Sequence, residues 1–199
     1  MRGDGGHGAY PHEGSDPLYI LSAILPRIYG IPSRRIAPLS PCVISLGEIR
    51  GGAAPNVIPS EVYVQGTIRS MEPEIRERLW SELEDAFRLA EVLGGSYEFR
   101  LHKGYPSMVN DAEVNDWMRV VARDLLGDDA VIDEAYGMGA EDFSYMTQAA
   151  PGAMFMLGAK IENGGAHHTP TFAIDEKVMP MGAAVLAEPA RRYGTGASG

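Results

Sequence analysis

Apolar residues in the first half of the chain recur at two spacings, and the wider spacing predicts two helices. In residues 16–28 (DPLYILSAILPRI) they return every three to four positions, which is typical of a helix with one buried face. Asp16 suits the N-cap of this helix, and Pro26 is expected to kink or shorten it. Residues 73–93 carry the longest apolar stripe and predict the clearest helix of the chain.

The shorter spacing predicts strands. Residues 61–69 (EVYVQGTIR) alternate between apolar and polar, residues 41–49 form a β-branched apolar run, and residues 96–106 predict a further strand. The order helix, strand, strand, helix, strand indicates an open-faced antiparallel sheet with two helices on one face. Such a sheet normally begins with a strand before the first helix. Only a few glycine-rich residues hold that place here, so we expect the first strand to be largely missing.

From about residue 106 the pattern changes to one typical of an α/β segment. The predicted elements are a helix at 110–127, a short helix at 138–146, a buried strand at 152–159 and a final helix at 175–193. A capping box that begins at Asn110 is expected to start the first of these helices, and Pro189 is expected to interrupt the last. So few elements predict an incomplete α/β segment.

Composition and charge narrow the classes of function. Of the 199 residues, 45% are hydrophobic and 22% charged, as in a folded protein. The formal net charge of -10 repels phosphate backbones and anionic membranes, so we expect no nucleic-acid or membrane partner. Cys42 is the only cysteine, which excludes an internal disulfide and a cysteine-rich zinc site and favours the cytoplasm. The N-terminus lacks the apolar stretch of a secretory signal.

Two segments carry residue types that bind metals or carboxylates. His167 and His168 lie in a glycine-flanked loop, where one of them could be a metal ligand; the alternative is a polar surface loop. Asn56 lies between two prolines and Arg69 at a strand end, where an amide and a guanidinium suit a carboxylate ligand. The alternative for this second pair is a turn residue and a solvated strand end.

Two further pairs of polar residues have simpler explanations when taken alone. Glu141 and Asp142 begin the short predicted helix, where the helix dipole favours negative charge. His7 and His12 are separated by glycine and proline, so they cannot share one helix face as in an HExxH metal site. By themselves these pairs predict a helix start and two loop histidines.

Five segments, taken in order, resemble one family. They are GGHGAYPHEGSDP, GGAAPNVIPSEVYVQGTIR, YPSMVND, MGAEDFSYM and HHTPTFAIDE. Together they are similar to the dinuclear-metal amidohydrolases of the aminoacylase, hippurate hydrolase and indoleacetyl-amino-acid hydrolase group, which are relatives of the glutamate carboxypeptidases. The resemblance implies an α/β fold in which residues 1–105 form an α+β lid and dimerisation domain. Residues 106–199 then match the C-terminal part of the catalytic domain.

The resemblance also implies roles for particular residues. His7 would reach across a homodimer formed through the lid and stabilise the oxyanion in the partner's active site. Asn56 and Arg69 would bind the carboxylate region of the substrate, and His168, followed by Thr-Pro, would be a metal ligand. Glu141 lies in a matched segment without a defined role. The implied cofactors are two divalent metal ions, for which zinc, manganese and cobalt are all suitable.

The chain departs from the family in what it lacks. The other metal ligands and the glutamate general base of the family lie upstream of the lid, and Cys42, in a lid strand, does not replace the family's cysteine. We therefore expect the C-terminal part of an enzyme that cleaves N-acyl amino acids or similar short amides by metal-activated water. This chain alone is expected to be inactive, and it is either the product of a truncated gene or one part of a split protein that has a separate N-terminal half as its partner. The alternative is a non-catalytic homodimerisation or binding module derived from such an enzyme.

Overall fold

The computed structural model describes residues 1–134 and 137–196. The chain divides into unit 1 (Met1–Ser107) and unit 2 (Met108–Gly199). Residues 135–136 and 197–199 of the predicted second segment lie outside the described residues. The elements of unit 1 are β1 (Gly6–His7), α1 (Pro17–Arg34), β2 (Cys42–Gly51), β3 (Val57–Ile58), β4 (Val62–Ser70), α2 (Pro73–Phe87) and α3 (Leu89–Val92).

Two antiparallel ladders form the sheet structure of unit 1. The longer one joins β2 to β4, from Cys42 opposite Ser70 to Gly51 opposite Val62, with a bulge at the residue between Leu46 and Glu48. The shorter one joins β1 to β3. The strands predicted at 41–49 and 61–69 are therefore confirmed, since alternating side chains of both strands face the helices.

Helix α1 begins where its capping residue predicts and continues further than expected. The Asp16 side chain accepts a hydrogen bond from the backbone N–H of Leu18, at 2.8 Å. The helix passes through Pro26 and ends at Arg34, so the expectation that Pro26 shortens it is wrong. Pro26 is exposed, so the carbonyl that loses its intrahelical donor lies on the solvent side of the helix. Buried residues of α1 on both sides of the proline keep the two halves in one helix.

The core of unit 1 lies between the two helices and the β2–β4 ladder. Its buried members are Ile20, Ile24, Ile28, Ile31, Ile36, Ile44, Leu79, Leu83, Ala86 and Ala90. The helix predicted over 73–93 is divided at Arg88 into α2 and α3, but its predicted apolar stripe packs on this core. Glu82 is also buried, and the guanidinium of Arg35, at the C-terminal end of α1, binds both of its carboxylate oxygens.

The strand predicted at 96–106 does not form as a regular strand. Ser96 makes a single antiparallel bridge to Arg2, which also bridges Glu61 on its other side. Tyr97, Phe99 and other alternating residues still turn toward the core, so the amphipathic pattern is present without a ladder. A strand needs backbone hydrogen bonds to a neighbour along its length, and among the described residues only Arg2 makes backbone–backbone bonds to this segment.

Unit 2 is mainly helical. It contains α4 (Ala112–Leu126), α5 (Phe143–Ala149) and α6 (Met179–Gly194), and α4 packs against α6. The N-cap of α4 is Asp111, whose carboxylate accepts from the N–H of Val114, so the prediction of a capping box at Asn110 is wrong by one residue. The Asn110 side chain instead pairs with the backbone of Met154, both donating to its carbonyl and accepting from its N–H at 2.9 Å.

Three other predictions for unit 2 are corrected by the structure. The segment at 152–159 is not a regular strand, because it has no neighbouring strand among the described residues. Helix α6 continues through Pro189, which is buried, rather than being interrupted by it. The short helix predicted from residue 138 begins at Phe143. Helices and small antiparallel ladders nevertheless make up the chain, so the predicted mixed α/β class is confirmed.

Candidate functional site

The β1–β3 ladder brings His7 and Asn56 together. His7 lies opposite Val57 in the ladder, and the N–H of Gly8 donates to the carbonyl of Asn56 at 2.8 Å. Both side chains are exposed. The close approach depends on glycine, because a Cβ at Gly8 would lie 3.1 Å from the Asn56 carbonyl oxygen. The glycine-rich sequence around His7 is thus part of a short, backbone-paired ladder between two segments that are distant in the sequence.

The backbone also orients the His7 ring. Its Nδ1 accepts a hydrogen bond from the N–H of Ala9 at 3.1 Å, and the ring packs against Tyr10 with centroids 5.4 Å apart. A neutral imidazole that accepts at Nδ1 carries its proton on Nε2. The free Nε2–H of His7 can therefore act as a hydrogen-bond donor to a developing negative charge.

Arg69 is not part of the β1–β3 ladder. It lies opposite Val43 near the far end of β4, is exposed, and donates to the carbonyl of Ile68. Arg69 lies seven positions after Val62, the first residue of β4, and seven steps of extended strand correspond to about 23 Å. Unit 1 therefore presents His7 with Asn56 at one end of the sheet and Arg69 at the other.

In unit 2, His168 lies in an exposed loop with a left-handed backbone conformation (φ 64°). Its neighbour His167 packs edge-on against Phe172, with centroids 5.0 Å apart. Glu141 has an exposed side chain, and its carbonyl accepts from the N–H and the hydroxyl of Ser144 at the start of α5. Glu141 therefore precedes α5, whose first turn contains no acidic residue, so the predicted negatively charged first turn of the helix is wrong.

The described residues do not form a metal centre on their own. No group of three or more histidine, cysteine, aspartate or glutamate side chains among them is placed to hold an ion. A catalytic zinc typically takes three protein ligands, so His168 by itself does not fit a catalytic ion. Cys42 is the first residue of β2, where burial raises the pKa of its thiol, which disfavours the thiolate that a metal needs.

An open pocket beside the β1–β3 ladder was not predicted from the sequence. It has a volume of about 630 Å³ and is bordered by residues of the Gly51–Gly52 turn and the start of α1, including Gly8, Asp16, Leu18, Gly52 and Pro55. The GGAAP run at residues 51–55 is the feature of the sequence that indicates this pocket, because its small side chains leave the space open. None of the helices in the described part of the chain is long and apolar enough to cross a membrane.

Comparison with known sequences gives a consistent family. The model of peptidase family M20/M25/M40 matches residues 9–192. A probable hydrolase of Synechocystis is 38% identical, covering 97% of this chain and 50% of its own. Thermostable carboxypeptidase 1 of Saccharolobus solfataricus is 37% identical (92% and 47%), and the N-acetyldiaminopimelate deacetylase of Bacillus pumilus is 34% identical (94% and 49%).

Solved structures agree with the sequence relatives. A putative aminohydrolase from methicillin-resistant Staphylococcus aureus superimposes with a TM-score of 0.78 at 27% identity, covering 93% of this chain and 48% of its own. A dinuclear metal binding M20 peptidase of Bacillus subtilis shares the fold, with a TM-score of 0.70 at 23% identity over 94% of this chain and 47% of its own. This chain spans about half the length of the relatives that it matches. On these grounds the chain belongs to peptidase family M20/M25/M40.

Proposed function

We propose that this chain is the C-terminal part of a metal-dependent amidohydrolase or peptidase that cleaves the amide bond of N-acyl amino acids or similar short amides. The observation that carries the proposal is the family match over residues 9–192, combined with coverage of only about half of each relative. A deacetylase of an N-acetylated amino acid and a carboxypeptidase among the relatives support this class of substrate. The single cysteine supports a cytoplasmic location.

In this proposal the β1–β3 ladder and the far end of β4 have separate roles. The Nε2–H of His7 stabilises the oxyanion of the tetrahedral intermediate, and Asn56, beside it, binds the carboxylate region of the substrate. Arg69 binds the substrate carboxylate through its planar guanidinium. Because about 23 Å of strand lies between the two ends, one small substrate cannot contact both within one chain. The separation supports a homodimer in which His7 of one chain acts in the partner's site.

His168 is proposed as a ligand of one of two divalent ions, zinc, manganese or cobalt. The described residues do not supply a full ligand set, so the remaining ligands must come from a part of the enzyme that they do not include. We therefore assign no complete catalytic step to this chain and propose that it is inactive alone. A separate N-terminal half is the proposed source of the missing ligands and of the general base.

Hydrolysis of a panel of N-acetyl and N-benzoyl amino acids, with added zinc or manganese, tests the proposal. The chain is assayed alone and with the N-terminal half of the Synechocystis relative. We expect turnover only with the added half, and we expect His168→Ala to abolish it while His167→Ala, a neighbouring histidine in the same loop, retains it. Chelator-sensitive turnover by the chain alone would overturn the proposed inactivity.

A non-catalytic homodimerisation or binding module is the second candidate. The observation in its favour is that the buried apolar cluster lies entirely in unit 1, whereas the described part of unit 2 buries few large apolar residues, Val121 and Val185 among them. In this second candidate, unit 1 carries the dimerisation or binding activity. Sedimentation velocity distinguishes the two: a defined dimer that stays inactive with the added half supports the module.

A further inference from the structure

The ring of His7 contacts the ring of Tyr10 because the chain turns between the two residues. The N–H of Tyr10 donates to the carbonyl of His7 at 2.8 Å, which closes a four-residue β-turn with Gly8 and Ala9 at its centre. The turn brings the two rings to a centroid distance of 5.4 Å, with 50° between their planes. Aromatic rings attract one another at centroid distances of about 4.5–7 Å. His7 therefore has a side-chain neighbour in addition to the backbone donor at its Nδ1.

The hydrogen bond from Ala9 does not by itself fix the direction of the imidazole. It holds one ring atom, Nδ1, at 3.1 Å from the Ala9 nitrogen, and the plane of the ring can still swing about that atom. The terminal side-chain torsion of histidine has broad minima, so neighbouring groups must set the ring plane. His7 is exposed, and burial therefore does not set it. The contact with Tyr10 supplies the second restraint, and the two together define where Nε2 points.

Tyr10 is itself held by local structure rather than by burial, since it is 53% exposed. It precedes the short 3-10 helix Pro11–Glu13, and its carbonyl accepts from the N–H of Glu13 at 3.1 Å. The ring of His12, in the middle of that helix, contacts the Tyr10 ring nearly edge-on, with centroids 6.4 Å apart and 76° between the planes. The rings therefore form a row in the order His7, Tyr10, His12. Both contacts of Tyr10 use its ring and not its hydroxyl.

We propose that Tyr10 is a positioning residue for His7 and that His12 supports it. The Tyr10 ring holds the plane of the imidazole while Ala9 holds Nδ1, so that the Nε2–H has a fixed direction. This inference rests on the proposed role of His7 as the donor to the oxyanion. A donor that is already oriented stabilises developing charge without reorganising during the reaction, whereas an exposed imidazole that swings freely does not. The row also gives His12 a function, although its sequence position alone predicts only a loop histidine.

The orientation of His7 is tested in the chain by itself, without an enzyme assay. Imidazole ¹⁵N chemical shifts are measured at a pH of about 8.5, where free imidazole is neutral, and the variant His7→Gln identifies the signals of His7. We expect Nδ1 to be the unprotonated nitrogen and Nε2 the protonated one. Tyr10→Ala should bring the two shifts closer together, because a ring that swings away from Ala9 populates both tautomers. Tyr10→Phe, which keeps the ring, should keep the shifts of the unsubstituted chain.

Two more variants make this test specific. Tyr29→Ala removes a tyrosine of α1 with an equal exposure, 54%, and should leave the His7 shifts unchanged. His12→Ala should move the shifts in the same direction as Tyr10→Ala but by less, because His12 acts through the Tyr10 ring. Unchanged shifts in Tyr10→Ala would overturn the proposal. An equal change in Tyr10→Phe or in Tyr29→Ala would also overturn it.

A kinetic measurement separates positioning from a purely structural role. The chain is combined with the N-terminal half of the Synechocystis relative, and kcat and KM are measured for each variant. We expect Tyr10→Ala to lower kcat by about ten- to a hundredfold at an unchanged KM, because the oxyanion is absent from the bound substrate, and we expect Tyr10→Phe to keep kcat. A changed KM at an unchanged kcat, or an unchanged kcat despite altered nitrogen shifts, would overturn the proposal. If the unsubstituted mixture shows no turnover, the proposed function fails, and the nitrogen shifts alone decide whether Tyr10 positions His7.

Discussion

The Asn110 side chain is expected to stabilise unit 2, because it binds the backbone N–H and C=O of Met154. No neighbouring strand binds these two groups among the described residues. The Asn110 amide donates to the Met154 carbonyl and accepts from the Met154 N–H, both at 2.9 Å, and it also donates to Asn115 at 3.2 Å. Asn110→Ala leaves both backbone groups of Met154 without these partners. At about 0.5–1.5 kcal/mol for each hydrogen bond, the two Met154 bonds predict a loss of about 1–3 kcal/mol.

Urea unfolding followed by tryptophan fluorescence can measure this loss in unit 2 alone. The chain has two tryptophans, Trp80 in unit 1 and Trp117 in unit 2, so the background variant Trp80→Phe reports only on unit 2. With a slope of about 1–2 kcal/mol per molar urea, Asn110→Ala should lower the unfolding midpoint by about 1 M.

Two further variants make the test of Asn110 specific. Asn115→Ala removes the weaker partner but keeps the pair with Met154, so it should cost less than Asn110→Ala. Asn163→Ala changes an exposed asparagine of the same unit and should shift the unfolding free energy by less than about 0.5 kcal/mol. A midpoint for Asn110→Ala that matches Asn163→Ala would refute the reasoning.

Three other predictions follow from the structure. Ile24→Ala, at a side chain that is 0% exposed, should destabilise unit 1 by about 2–5 kcal/mol in urea unfolding read from the unit 1 tryptophan; a cost below 1 kcal/mol would contradict its place in the core. Asp16→Ala should cost about 1 kcal/mol in the same assay, and Asp16→Asn, which keeps the capping oxygen, should cost less. Arg191 and Arg192 lower the pKa of Glu188 to about 2, so the stability that this carboxylate contributes is present above its ordinary pKa of 4.5 and is lost as the pH falls toward 2. Glu188→Gln should therefore reduce the loss of unit 2 stability over that pH interval, and an unchanged acid profile would show that the ion pairs contribute nothing.

The candidate site illustrates what the sequence could and could not provide. The sequence identifies the segments that contain His7, Asn56 and Arg69, because residue types and their order can be compared along the chain. The sequence does not give their spatial arrangement, since Asn56 and Arg69 lie in one matched segment, but Asn56 flanks β3 whereas Arg69 lies near the far end of β4. Only the β1–β3 ladder places Asn56 beside His7, which is 49 positions away in the chain. The pattern of Asn110 was likewise read as a local cap, whereas its side chain binds Met154, 44 positions away.

Among the secondary-structure elements, the helices were determined by the sequence more fully than the strands. Asp16 predicts the start of α1 because its capping bond spans two residues, and the stripe over 73–93 predicts which face is buried. The segments at 96–106 and 152–159 have strand patterns but no ladder. Helix hydrogen bonds join residues four apart, so local sequence contains both partners. A strand needs a partner from elsewhere, and only the tertiary structure decides whether one is present.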